Sequence, residues 1–95
     1  MKKTEHLLAC LAEEAGEVVQ ACGKALRFGL EAGHPASIAT NEDDIVNEIN
    51  DMMAVANLLL NTSGSDILDD EKMTDKTIKV DRYIRHAQST RHVDY

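Results

Sequence analysis

Glu14 and Glu17 stand three residues apart in one helical stretch, and Glu48 and Asp51 repeat that spacing in a second. Each pair interrupts an apolar seam. In the first stretch Leu7, Leu11, Glu14, Val18 and Ala21 follow at intervals of four and three; in the second, Ile45, Glu48, Met52, Val55 and Leu59 do the same. Such intervals put residues on one face of a helix. A carboxylate in that face needs a compensating charge, because burying it unpaired is costly enough to protonate it instead. What surrounds Glu14 is more acid, Glu13 and Glu17, and one turn past Glu48 comes Asp51. Like charges at these spacings repel. Packed antiparallel across a twelve-residue connection, the two helices would point four oxygen-bearing groups at one spot, a site for a hard divalent cation. Oxygen ligands without His or Cys favour Mg2+, Mn2+ or Ca2+ over zinc. The alternative is a first helix rotated so that its acids face solvent. Two clusters, each breaking its own seam, weigh against that.

The elements that must position these acids are helices. Leu7, Leu8, Leu11, Ala12, Ala15, Val18, Val19, Cys22, Ala25 and Leu26 recur at helical spacing and predict a helix over about 4–28. Gly29, Gly33 and the only proline, Pro35, make 29–40 a connection, with room for a short helical turn. Asn41, followed by Glu42, Asp43 and Asp44, is the expected N-cap of a second helix running to about 61. Thr62-Ser63-Gly64-Ser65 supplies a stop. A third, more exposed helix is expected over about 66–88, and the tail 89–95 is expected to be loose.

Composition agrees with an all-α fold. The 95 residues are 43% hydrophobic but only 3% aromatic, so a core must come from Leu, Ile, Val, Met and Ala. A chain this short makes one domain, 1–95, and three helices per chain are expected to complete a bundle by association into a homo-oligomer. Ten basic against seventeen acidic side chains give a net charge of -7, which argues against a duplex-DNA binder. Cys10 and Cys22, about 18 Å apart on one helix, can form no intrachain disulfide, and a reducing cytoplasm is the simpler setting. No apolar run approaches the roughly 20 residues of a membrane span.

Other chemistry finds less support. A di-iron carboxylate bundle needs Glu-x-x-His on two inward faces, whereas Glu31-x-x-His34 occurs once, in the connection. There is no His-Glu-x-x-His, EF-hand loop or Gly-rich phosphate loop.

Glu13-Glu14-x-x-Glu17, followed after thirty residues by Glu48-x-x-Asp51, resembles the signature of the all-α nucleoside triphosphate pyrophosphohydrolases, the MazG-like superfamily. The run Leu11 to Ala21, with Lys24-x-x-Arg27-Phe28-Gly29 and Asn41 before the second acidic helix, is similar to the short MazG-like proteins of bacteria and phages. Coverage is roughly Leu7 to Leu60. Asn47 and Asn50 stand where many relatives have an acidic or small residue. The resemblance implies a homodimer or dimer of dimers, with Mg2+ (Mn2+ substituting) held by Glu14, Glu17, Glu48 and Asp51. It also implies hydrolysis of a nucleoside triphosphate to the monophosphate and pyrophosphate. Metals would neutralise phosphate oxygens and acidify the attacking water. Glu13 is then the candidate catalytic residue that orients or deprotonates it.

Lys24, two turns after Glu17 on the same side, and Arg27 are candidates for a β- or γ-phosphate; Arg27 reads equally as a helix-end cation. Lys76 and Lys79 belong to a basic stripe, Lys72 to Arg82, that either closes over phosphates or is a solvated face beside Asp75 and Asp81. A purine deoxynucleotide, dGTP or dATP, is the substrate towards which the resemblance leans. Two competing functions stay open: a non-catalytic acidic interaction module, and a phosphoribosyl-ATP pyrophosphohydrolase of the same superfamily.

Overall fold

A computed structural model describes residues 2–90. The described chain is all helical, in the order α1 (Lys3–Phe28), α2 (Asn41–Leu60), α3 (Gly64–Ile67) and α4 (Asp70–Ser89). It divides into two compact units, Met1–Gly64 and Ser65–Tyr95.

In the first unit α1 and α2 pack side by side. α1 is rich in Leu, Ala and Glu, which lose little freedom in a helix, and at 26 residues it is about 39 Å long. It ends at Gly29, whose φ of 94° carries the backbone out of the helical region while its N–H still reaches the Ala25 carbonyl at 2.8 Å. The chain then doubles back. Gly33 pairs with Thr40 in an isolated antiparallel bridge, and no helical turn forms in the connection.

The start of α2 corrects one expectation. Thr40, not Asn41, is the N-cap: its hydroxyl accepts from the Asp43 N–H at 3.2 Å, and the Asp43 carboxylate accepts from the Thr40 N–H at 2.9 Å. Asn41 is instead the first helical residue, 5% exposed, and its Nδ2 donates to the Gly29 carbonyl at 2.9 Å. Its backbone N–H donates to Ala32 and that of Glu42 to Leu30, at 2.7 and 3.0 Å. The connection is thus sewn to the head of α2. The helix ends where Asn61 turns left-handed at φ 53°.

Both seams face inward as their spacing requires. Leu7, Leu11, Glu14, Val18 and Ala25 are half-buried and Ala21 is buried; across from them Ile45, Glu48, Met52, Val55 and Leu59 are half-buried. Two helices alone cannot enclose a large side chain. Only Ala21 and Ala56 form buried apolar positions among the described residues, and Leu8, Val19, Leu26, Val46 and Leu60 are more than half exposed.

In the second unit the expected helix over 66–88 is broken. Leu68 and Asp69 lie outside the helix, and Asp69, in extended conformation, caps α4 by accepting from the Lys72 N–H at 3.0 Å. α2 ends at Leu60, just ahead of the expected Thr62-Ser63-Gly64-Ser65 stop, and Gly64 opens the short α3. Ser89, expected in the loose tail 89–95, is the last residue of α4, and 91–95 lie outside the described residues. Among the described residues no helix is long and apolar enough to cross a membrane.

Candidate metal centre

The antiparallel course of α1 and α2 brings three of the four predicted ligands together. Glu14, Glu17 and Glu48 each offer a carboxylate oxygen, and these oxygens all lie within 4.8 Å of one another. Ligands on opposite sides of an octahedral Mg2+ are about 4.2 Å apart, and around Ca2+ about 5 Å. The donor set is therefore of the right size and hardness for such an ion. A second observation concerns burial. Oε2 of Glu14 and Oε2 of Glu48 are closed off from solvent and have no hydrogen-bond partner. An orphaned carboxylate oxygen is expensive unless something positive meets it.

Electrostatics points the same way. Glu14 is pushed above the ordinary glutamate value, first by loss of water around it, then by the Glu17 charge, a hydrogen bond with Glu17, and the charges of Asp51 and Glu48. Glu48 is also pushed up, first by a hydrogen bond with Glu17, then by loss of water and by the charges of Glu17, Asp51 and Asp44. Glu17 is the hub of both. Without a cation the cluster relieves its repulsion by holding protons.

Asp51, the fourth predicted ligand, is exposed and lies outside the tight trio, although close enough for its charge to act on Glu14 and Glu48. Glu13 is exposed on the flank of α1, one turn before Glu17. A polar cleft of about 300 Å³ runs on from the cluster, lined by Glu17, Gln20, Ala21, Lys24, Asp44 and Glu48. Lys24 also borders a second cavity of about 280 Å³, where Arg27, Phe28, Gly33, His34, Pro35 and Asn41 complete the wall. Arg27 sits over the Phe28 ring, 5.4 Å from its centre. Lys79 lines a hollow on α4 with Arg82, Tyr83 and His86, and Lys76 one with Val80 and Ile84; both belong to the second unit.

Sequence reasoning missed Asp44 and Gln20 as cleft residues. Asp44, by its position a helix-dipole acid, also meets His34 Nε2 at 3.6 Å. The available signal was its place one turn before Glu48, as Gln20 is one turn after Glu17. In comparisons with family models, curated proteins and solved structures, nothing matches the chain.

Proposed function

We propose that this chain is a metal-dependent hydrolase that cleaves a nucleoside triphosphate to the monophosphate and pyrophosphate. What carries the reading is the pair of enclosed, partnerless oxygens on Glu14 and Glu48, gathered around Glu17. A divalent cation held by Glu14, Glu17 and Glu48, with Asp51 at the rim, would neutralise phosphate oxygens and acidify a water. Lys24, at the far end of the polar cleft, supplies a fixed positive charge to the phosphate chain. Glu13, outside the trio and on the exposed flank, accepts the proton as the water oxygen bonds to the α-phosphorus. The bond from that phosphorus to the bridging oxygen breaks, and pyrophosphate leaves with the electron pair.

The same reading includes a homodimer or dimer of dimers. One residue along a helix turns the side chain by about 100°. The stripe Leu8, Ala12, Ala15, Val19, Cys22 and Leu26 is the inward seam of α1 moved on by one, and Val46, Ile49, Met53 and Leu60 stand in the same relation to the seam of α2. In antiparallel helices these equal shifts turn both stripes to the same side of the pair. Glu17, Gln20 and Lys24 are turned the other way. A second copy laid on the apolar side completes a four-helix core and leaves the cleft open.

The test is pyrophosphate release from a panel of ribo- and deoxynucleoside triphosphates with Mg2+, with Mn2+ and with chelator, using Glu48→Gln as the blank. Metal-dependent release lost in the blank supports the reading. Folded protein that releases nothing, with or without the substitution, leaves an acidic helix pair whose role is to hold a partner.

A further inference from the structure

Two cavities of the first unit meet at Lys24 and differ in chemistry. The one beside the acidic trio is walled by carboxyl, amide and ammonium groups. The other, about 280 Å³, has Phe28, Pro35 and His34 in its wall, with Phe28 66% exposed and the His34 side chain 57% exposed. Phe28 lies eleven residues beyond Glu17, about 16 Å along the helix, and Lys24 is between them at about 10 Å.

A phosphate in this second cavity would have only the Lys24 and Arg27 side chains to hold it. The backbone N–H groups at the head of α2 are already spent: Asn41 on Ala32, Glu42 on Leu30, Asp43 on the Thr40 hydroxyl. The amide of Asn41 is spent on Gly29. Arg27 is drawn over the phenyl ring, and His34 faces Asp44. A flat heteroaromatic ring suits it well. It would stack on an exposed aromatic face and lose little by leaving water against Pro35.

We propose that the cavity between the end of α1 and the 29–40 connection receives the nucleobase, with Phe28 as its stacking platform and Pro35 and His34 as the facing wall. This rests on the nucleotide reading above. It fixes the direction of the substrate: phosphates between the acids and Lys24, base against Phe28. Gly33 keeps the wall in place, because a Cβ there would run into the Ala39 carbonyl.

Phe28 is the single phenylalanine of the chain, so its ring protons are an unambiguous reporter. The experiment has two arms on the full-length protein. In the first, deoxynucleoside monophosphates and, separately, inorganic pyrophosphate are titrated in with Mg2+ while NMR follows the Phe28 ring. Base-to-Phe28 nuclear Overhauser contacts with the monophosphates, and none of comparable ring shift with pyrophosphate, are expected. Pyrophosphate moving the ring while base protons show no contact would overturn the proposal in favour of a phosphate-end pocket. In the second arm Phe28→Ala is expected to raise KM for the preferred triphosphate about tenfold with kcat within about twofold, Phe28→Trp to restore it, and the inhibition constant of inorganic tripolyphosphate to stay unchanged. Turnover with KM and base ranking untouched by Phe28→Ala defeats the pocket and spares the hydrolase. Contacts to Phe28 without turnover of any triphosphate defeat the hydrolase and spare the pocket.

Discussion

Glu17 of α1 and Glu48 of α2 meet across the helix pair, with carboxylate oxygens within 4.8 Å of each other although both acids would be charged in water. Glu14 leans on the same Glu17 from one turn earlier. Three acids on one contact line are a poor way to hold two helices together and a good way to hold a cation. The cation-free protein therefore carries a repulsion that can be titrated, mutated or neutralised.

Titration gives the first prediction. Glu14 and Glu48 are raised from the ordinary 4.5, so above that pH the folded chain keeps protons the unfolded chain has lost. Their contribution to stability is accordingly greatest at low pH and is lost as pH rises from 4.5 through the raised values. In chelator, Tm should fall with rising pH across that window, and Glu48→Gln should flatten the fall and melt higher than the parent at pH 7. Equal melting of parent and variant at pH 7 would place these acids in open solvent.

Neutralisation gives the second. Mg2+ or Mn2+ should raise Tm at pH 7, with about 2.7 kcal/mol gained when the free ion stands at a hundred times its Kd. Glu14→Gln and Glu17→Gln should each remove most of that gain. Thermal melts over a metal titration decide it, with an exposed control such as Glu5→Gln behaving as the parent.

Much of this was legible in the sequence. Intervals of four and three marked the two seams, and an acid at a seam position was the sign of the carboxylate cluster. What was not legible depended on contacts distant along the chain. Thr40 and Asn41 are both good capping residues, and the choice falls to Thr40 because the Asn41 amide is taken by Gly29, twelve residues back. Likewise Phe28, Gly33, Pro35 and Asn41 become neighbours only when the connection folds over the end of α1. The break before α4 was hidden by Ile67 and Leu68, which continue a helical pattern while Asp69 takes the cap.

That connection yields the third prediction. Gly33→Ala meets the Ala39 backbone and should cost about 1–3 kcal/mol, whereas Gly16→Ala enters open space within a helix and should gain about 0.5–1 kcal/mol. Urea midpoints of the two variants should move in opposite directions.

The fourth concerns the apolar side of the pair. Val19 is 70% exposed and Leu26 is 88% exposed, on the side away from the cleft. Val19→Asp with Leu26→Glu should reduce the sedimenting mass to that of one chain, while helix content by circular dichroism shows whether the pair survives alone. An unchanged mass would move the interface elsewhere.

The most direct test of the central claim is hydrolysis in 18O-enriched water with Mg2+, read by mass spectrometry of both products. The account predicts one 18O in the nucleoside monophosphate, none in pyrophosphate, and no product from Glu48→Gln. Label in the pyrophosphate, or equal yields from parent and Glu48→Gln, would contradict it.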